Sequence, residues 1–137
     1  MDNIPAADAR TFAVMGHTGS GKTTLVDALL YKLGLNDRLG LVDSGSSMAD
    51  FTDEEKGRNI TIFAKPFAGT YKASNGKQRA LTFVDTPGYM DFYGQVISAC
   101  RATGTALIAV DAVAGVQVGT RQVWKHARGA GLARGFV

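Results

Sequence analysis

Apolar residues occur in short runs separated by polar loops, and each run has the length of one strand or one helix. Residues 11–15 and residues 105–110 are mainly apolar and predict two buried strands. Residues 22–33 place leucines at intervals of four, which predicts a helix with one apolar stripe that stops at Gly34. The first unit of the chain is therefore a strand followed by a helix.

The middle of the chain combines a long polar stretch with the pattern of a hairpin. Residues 34–59 have no apolar period and carry glycine, serine and acidic side chains, so we predict a long loop. Two strand-like segments, residues 60–71 and 79–84, flank Asn75-Gly76, which is typical of a two-residue hairpin turn. These segments predict an antiparallel pair of strands.

The C-terminal part returns to alternating helices and strands. An apolar stripe predicts a helix over residues 90–102, and a second helix carries Val123, Trp124 and Ala127. Residues 131–137 have the pattern of a strand that is beginning. The complete order predicts an α/β fold in three layers, with a mainly parallel sheet and one antiparallel edge strand.

Composition and charge limit the class of protein further. The 137 residues suffice for one domain, which we place at 10–137 after an N-terminal extension at 1–9. A single cysteine, Cys100, excludes an internal disulfide framework and favours a reducing compartment. There is no apolar run of about 20 residues and no signal-peptide core, so we expect a cytoplasmic protein without a membrane partner. The net charge of +3 is modest, and we expect no specific DNA partner.

The loop between the first strand and the first helix has a phosphate-binding pattern. Residues 16–23 read GHTGSGKT and match GxxxxGK[ST] at every fixed position. Glycines let successive backbone N–H groups surround an anion, and the N-terminus of the next helix adds partial positive charge. The lysine of this pattern reaches the β- and γ-phosphates, and the following hydroxyl binds Mg²⁺. The predicted nucleotide-binding residues are Gly16, His17, Thr18, Gly19, Ser20, Gly21, Lys22, Thr23 and Thr24.

A second candidate lies at the end of the later predicted strand. Residues 81–84 deliver Asp85 to a Thr-Pro-Gly turn. In P-loop proteins, an aspartate at the end of a neighbouring strand holds Mg²⁺, usually through a water molecule. An aspartate before a turn is common, so Asp85 becomes a specific signal only in combination with the upstream phosphate-binding loop.

Four stretches together resemble the GTP-binding domain of translational GTPases. They are GHTGSGKTTL, RNIT at residues 58–61, DTPGYMDF, and DAVAGVQVGTRQVW at residues 111–124. The last stretch, and the Asp-Phe pair after the tyrosine, resemble the elongation factor G branch, and the similarity covers residues 10–137. The resemblance implies a P-loop fold of GTPase type, GTP or GDP with Mg²⁺ as ligands, and the ribosome as the partner that triggers hydrolysis.

The same resemblance implies roles for residues outside the P-loop. Residues 34–61 would form the first switch, with Thr61 on Mg²⁺ and the γ-phosphate, although Thr61 alone would be read as a β-branched strand residue. Gly88 would give its backbone N–H to the γ-phosphate, and loss of that phosphate would release both switches. The implied metal ligands are Thr23, Thr61 and, through water, Asp85. The implied catalytic positions are Lys22, Gly88 and Tyr89.

Three positions depart from the family pattern. Asn59 replaces the glycine of Arg-Gly-Ile-Thr, and asparagine tolerates left-handed backbone. Gly19 replaces an aspartate and so removes a carboxylate near the phosphates. Tyr89 replaces the histidine that orients or electrostatically supports the attacking water; a phenol can donate and accept a hydrogen bond but cannot become a cation. The tyrosine is similar to that of a divergent elongation factor G-like subgroup.

Guanine recognition and turnover are left open by these residues. The family reads guanine with Asn-Lys-X-Asp after the strand that begins near Phe136, so we expect a C-terminally truncated GTPase domain whose guanine preference rests on analogy. A pseudo-GTPase that holds nucleotide without turnover is an alternative, suggested by Gly19 and Tyr89. A P-loop ATPase or kinase is another. Ribosome-stimulated phosphate release distinguishes a GTPase from a pseudo-GTPase. Competition by ATP distinguishes a GTPase from a P-loop ATPase or kinase.

Overall fold

The structure, a computed structural model, describes residues 4–42 and 44–137 and arranges them around one five-stranded sheet. Short 3₁₀ turns lie at Ala6–Asp8 and Met90–Phe92. The strands and helices, in chain order, are β1 Ala9–Gly16, α1 Lys22–Lys32, α2 Asp53–Arg58, β2 Lys65–Lys72, β3 Gln78–Asp85, α3 Tyr93–Ala102, β4 Thr105–Ala109, α4 Val118–Gly129 and β5 Ala133–Phe136.

The strand order of the sheet is β2-β3-β1-β4-β5. β1 is parallel to β3 and β4, β4 is parallel to β5, and β2 is antiparallel to β3 at one edge. The predicted mainly parallel sheet with one antiparallel edge strand is therefore confirmed. Because β1 and β3 are parallel neighbours, Gly16 and Asp85 lie at the same edge of the sheet, where ligands of open α/β sheets bind.

Helices cover both faces of the sheet, which confirms the three layers. Side chains alternate between the faces along β1: Val14 packs with Val26 and Leu30 of α1. Met15 lies on the opposite face, in a second cluster with Val96 of α3 and other side chains from α3 and α4. Since a buried Val, Leu or Met side chain contributes about 2 kcal/mol, these two clusters hold the sheet edge that carries the candidate site rigid.

The structure differs from the sequence prediction at the start of β2. A strand was expected over residues 60–71, but β2 begins only at Lys65. The reason is that side chains take the amides of the preceding residues: Glu55 accepts hydrogen bonds from Ile62 and Phe63, and Gln95 accepts one from Ala64. Those N–H groups are therefore not available to a strand ladder, and the segment stays irregular.

The predicted hairpin between β2 and β3 is confirmed, but its predicted two-residue turn is wrong. The last residue pair of the β2–β3 ladder joins Lys72 to Gln78, so five residues, 73–77, connect the strands. The Gly76 N–H donates to the Ala73 carbonyl at 2.8 Å. A tight two-residue turn of type I′ needs positive φ at both central residues, and here Gly76 adopts it while Asn75 does not.

A short helix, α2, lies inside the segment that was predicted as a continuous loop. Thr52 caps it: the Thr52 hydroxyl accepts from the Glu55 amide at 3.3 Å, and the Glu55 carboxylate accepts from the Thr52 amide at 3.4 Å. This reciprocal capping box stabilises a helix of only six residues. The sequence signal, Thr-Asp-Glu-Glu, was present and could have predicted the helix.

The helices of the described residues carry no span long and apolar enough to cross a membrane.

At the N-terminal side of β1, Asp8 forms an ion pair with Lys77 of the hairpin loop, with 3.1 Å between Oδ2 and Nζ. β1 begins at Ala9, two residues before the predicted strand. The division between 1–9 and 10–137 stays a prediction, and residues 1–3 lie outside the described part.

Candidate nucleotide-binding site

The phosphate-binding loop connects the end of β1 to the first residue of α1. Gly19 and Gly21 have φ angles of 74° and 82°, in the left-handed region that glycine tolerates best. Gly21 is the N-cap of α1, so the free N–H groups of the helix start face the same loop. The glycine that departs from the family pattern, Gly19, thus lies in backbone that suits glycine.

Lys22 is buried at the centre of this loop. Its Nζ donates a hydrogen bond to the His17 carbonyl at 2.7 Å, and the residue is only 6% exposed. Burial lowers the pKa of Lys22 to about 8, although the carboxylates of Asp85 and Asp50 oppose this change. A buried ammonium held by backbone is positioned for an anion with several charges, and the binding of nucleotide phosphates by Lys22 stays a prediction.

The turn that follows β3 packs directly against the phosphate-binding loop. A Cβ atom added to Gly88 would lie 2.6 Å from Lys22 Nζ and 2.7 Å from Thr18 Cα. No side chain fits in that space, so the approach of the Gly88 backbone requires glycine. The structure therefore brings the Gly88 backbone against the loop beside Lys22, and its contact with a γ-phosphate stays a prediction.

Three oxygen-bearing side chains meet beside the start of α1. Thr23 Oγ1 lies 2.9 Å from Thr61 Oγ1 and donates to Asp85 Oδ2 at 3.2 Å. Asp85 is fully buried; burial raises its pKa to about 7, and Asp50 adds to the rise against Lys22, Lys65 and the Thr23 hydrogen bond. Within the described residues, Asp85 Oδ1 has no hydrogen-bond partner.

This arrangement of oxygen atoms fits a magnesium ion. Mg²⁺ takes oxygen ligands at 2.0–2.1 Å in octahedral geometry, so two adjacent ligands are about 3.0 Å apart. The separation of the Thr23 and Thr61 hydroxyls, 2.9 Å, matches that spacing. The unpartnered Asp85 oxygen is available to accept a hydrogen bond from metal-bound water, and its indirect role stays a prediction.

Asp50 belongs to this site and was not predicted from the sequence. It is buried, and its Oδ1 accepts from Thr61 Oγ1 at 2.9 Å and from Lys65 Nζ at 3.1 Å. The residue sits in an aperiodic acidic stretch with no spacing that marks it, because its partners are distant in sequence. Its contacts appear only once the polar loop is folded over α1.

Glu55 and Lys65 form a second buried group beside Asp50. Their Oε1 and Nζ atoms are 2.6 Å apart, and both side chains are almost fully buried. Burial acts to raise the pKa of Glu55, but the Lys65 hydrogen bond and the amides of Ile62 and Phe63 outweigh it and hold the pKa below its usual value. The carboxylate is therefore ionised and fixed at neutral pH.

A cavity of about 240 Å³ opens beside these groups. Most of the predicted site residues line it, namely Thr18, Gly19, Gly21, Lys22, Thr23, Thr24, Thr61, Gly88 and Tyr89. The other predicted residues lie around it: His17 gives its carbonyl to Lys22, Asp85 lies behind Thr23, and Gly16 and Ser20 shape the loop. All predicted residues are thus brought to one edge of the sheet.

Asn59 lines the same cavity and ends α2. Its φ and ψ angles are 51° and 43°, which is left-handed backbone, and it is the one non-glycine residue with positive φ in the described part of the chain. The prediction that asparagine tolerates left-handed backbone at this position is confirmed. The chain therefore turns out of α2 here without needing a glycine.

The sheet order, the phosphate-binding loop and the hydroxyl pair define a nucleotide-binding domain of the P-loop GTPase type. A family model described as the elongation factor Tu GTP binding domain matches residues 7–137, and the chain belongs to this family of translational GTPases. Members of the family are GTP-hydrolysing enzymes. The resemblance predicted from the sequence is confirmed, and membership of this family argues against a P-loop ATPase or kinase.

Individual curated relatives are similar over most of this chain. The chain is 34% identical over 128 residues to the mitochondrial ribosome-releasing factor 2 of two Saccharomyces cerevisiae strains, RM11-1a and S288c. The match covers 90% of this chain and 15% of those relatives.

Solved structures share this fold. A crystal structure of a Thermus thermophilus protein superimposes with a TM-score of 0.87 at 42% identity, and the match covers 96% of this chain and 19% of that one. The bacterial selenocysteine-specific elongation factor shares the fold, with a TM-score of 0.64 at 22% identity over 90% of this chain and 18% of its own.

Proposed function

We propose that the chain is the switch module of an elongation factor G-like protein, which binds GTP with Mg²⁺ and hydrolyses it when the factor is on the ribosome. The observation that carries the proposal is the meeting of Thr61, from the polar loop, with Thr23 and Asp85 beside the buried Lys22. The chain spans about 15% of the curated relatives it matches, so the activity of a whole factor is part of the proposal.

Each residue has a role that follows from its position. Lys22 and the backbone of the loop bind the phosphates, and Gly88 offers its backbone to the terminal phosphate. Thr23 and Thr61 would hold Mg²⁺ directly and Asp85 through water; the ion, when bound, supplies neutralisation of the phosphate charge. Tyr89 has its hydroxyl available beside the cavity for the attacking water. Catalysis by such a site consists of positioning and electrostatics.

The guanine preference and the cellular compartment are proposals that do not rest on the geometry of the site. The preference for guanine rests on the family, because residues that read a base do not line the described cavity. A cytoplasmic location stays a prediction, since the yeast relatives are by name mitochondrial proteins. The ribosome enters as partner through the family and through the name of those relatives.

The test is release of phosphate from GTP by a protein that contains this chain, with and without purified ribosomes. We expect slow release alone and strong stimulation by ribosomes. Thr61→Ala should reduce the stimulated rate while GDP retention stays close to that of the wild type, since Thr61 contacts the metal only when the γ-phosphate holds the switch closed. Tight GTP binding without release on ribosomes would instead identify a non-hydrolysing binding module.

A further inference from the structure

Lys65 is a buried lysine at the edge of the site that the roles above do not use. It is the first residue of β2, it is 5% exposed, and the strand register pairs it with Asp85. Its ammonium contacts two carboxylates, Glu55 at 2.6 Å and Asp50 at 3.1 Å. Lys is rarely buried without a function or a paired charge, and here the pairing is with two residues of the first switch.

One of the two carboxylates, Asp50, orients the hydroxyl of Thr61. Asp50 Oδ1 accepts from both Lys65 Nζ and Thr61 Oγ1. A hydroxyl has one hydrogen and two lone pairs, so donation to Asp50 leaves the oxygen lone pairs for another partner. That oxygen lies 2.9 Å from Thr23 Oγ1, at the spacing of two adjacent magnesium ligands. The orientation of Thr61 is therefore fixed by a carboxylate that Lys65 holds.

The other carboxylate, Glu55, binds the backbone that follows Thr61. Glu55 Oε1 binds Lys65 and also accepts from the amides of Ile62 at 2.9 Å and Phe63 at 3.3 Å. The Phe51 ring covers the ammonium, with Nζ 5.3 Å from the ring centroid. One cation thus fixes the switch on both sides of Thr61, in surroundings that exclude water and so strengthen each contact.

We propose that Lys65 is a positioning residue that turns the Thr61 hydroxyl toward the magnesium site in the triphosphate state, acting through Asp50 and Glu55. This inference rests on the function proposed above. Thr23 and Asp85 do not depend on the switch for their positions, because they lie on α1 and β3. Loss of Lys65 should therefore weaken Mg²⁺-dependent retention of a triphosphate and leave retention of a diphosphate largely unchanged.

The experiment compares Lys65→Met with the wild type in a protein that contains this chain, as in the phosphate-release test above. Methionine keeps the length of the side chain and removes the charge, and Lys72→Met, at the exposed end of the same strand, is the matched control. Dissociation of a fluorescent, non-hydrolysable GTP analogue and of fluorescent GDP is followed over a range of Mg²⁺ concentrations. We expect the Mg²⁺ midpoint for the triphosphate to rise at least fivefold in Lys65→Met, and the GDP midpoint to change less than twofold.

A double-mutant cycle with Thr61→Ala separates positioning from general stabilisation. If Lys65 acts through Thr61, the double variant should be no worse than Thr61→Ala alone. Should Lys65→Met fail to fold, the variant Lys65→Met/Glu55→Gln removes both charges of the closest pair and is expected to show the same triphosphate-specific shift.

Equal shifts for the two nucleotides, no shift, or effects that add to those of Thr61→Ala would overturn the proposal. Failure of the wild type to retain either nucleotide would instead overturn the proposed function.

Discussion

Thr61 Oγ1 lies 2.9 Å from Thr23 Oγ1, although the two threonines are separated by 38 positions in the sequence. Thr23 is fixed by the start of α1, whereas Thr61 arrives at the end of the polar loop. The contact therefore depends on how that loop folds over the sheet edge. A site that assembles only when a loop closes can serve as a switch, because a ligand that binds both threonines stabilises the closed loop.

Replacement of Lys22 tests the phosphate-binding loop. Lys22→Ala should weaken GDP binding at least a hundredfold, or about 2.8 kcal/mol, because it removes the charge closest to the phosphates. The lysine is buried at a cost in desolvation, as its lowered pKa indicates, so the domain should remain folded. The measurement is the GDP dissociation constant, together with a thermal melt. Lys32→Ala, in the last turn of the same helix, is the control, and equal affinities of the two variants would contradict the assignment.

Replacement of Gly88 tests the approach of the second switch to the loop. In Gly88→Ala the new methyl group would meet Lys22 Nζ at 2.6 Å and Thr18 Cα at 2.7 Å, so backbone must move. We expect the preference for a GTP analogue over GDP to fall at least about tenfold, or about 1.4 kcal/mol, since the displaced backbone can no longer meet the γ-phosphate. Competition binding measures that ratio. Gly94→Ala, which meets nothing within 4 Å, should leave it unchanged.

Replacement of Glu55 tests the buried charge group beneath the switch. Glu55→Gln leaves the Lys65 ammonium with one carboxylate instead of two and should lower the free energy of unfolding by about 3 kcal/mol at pH 7. Chemical denaturation measures the loss. Glu54→Gln, an exposed neighbour on α2, is the control and should change stability by less than about 0.5 kcal/mol.

The same residue predicts a dependence of stability on pH. The pKa of Glu55 is lower in the folded protein than its ordinary value of 4.5, so its stabilisation is fully present above that value. It is lost as the pH falls from 4.5 through the lower folded-state pKa. Over that acidic range, the stability of the wild type should therefore decrease more steeply than that of Glu55→Gln. Parallel curves for the two proteins would show that this carboxylate is not specially stabilised.

Much of the fold could be predicted because its signals are local. The phosphate-binding loop combines a strand pattern, a glycine pattern and a helix pattern within one short segment, and Asp85 follows from the next buried strand. The start of β2 could not be predicted, because Glu55 takes the amides of Ile62 and Phe63 from another element. Contacts of this kind depend on the folded loop and leave no period in the sequence.

The same distinction applies to the candidate site. Residues within motifs, such as Lys22 and Thr23, were identified from spacing and chemistry. Asp50 and Lys65 lie in segments without a motif, and their role follows from burial and from contacts with each other. In the sequence, Lys65 looks like an ordinary solvent-facing residue of an edge strand. Only its contacts in the folded structure show that it is buried and paired. Helix α2 is different, because the sequence of its capping box could have predicted it.

Tyr89 is the residue that the family resemblance predicts at the position of a water-orienting histidine. It lines the cavity and is 41% exposed, and no hydrogen bond of its hydroxyl to another described residue is observed. Two accounts lead to different results. In one, the hydroxyl binds the attacking water or the phosphate when the ribosome presses the switch into place. In the other, the ring is an aromatic lid whose hydroxyl has no part in the reaction.

Tyr89→Phe separates these accounts, because it removes the hydroxyl and keeps the ring. We predict slow hydrolysis by the factor alone, and a loss of at least about tenfold in ribosome-stimulated hydrolysis by Tyr89→Phe, or about 1.4 kcal/mol of barrier. Retention of the GTP analogue should not change where the hydroxyl binds the water, and it should fall where the hydroxyl binds the phosphate. Single-turnover phosphate release on ribosomes measures the first effect and analogue dissociation the second. If Tyr89→Phe releases phosphate as fast as the wild type, the lid account is correct and positioning of the water falls to the backbone of the second switch.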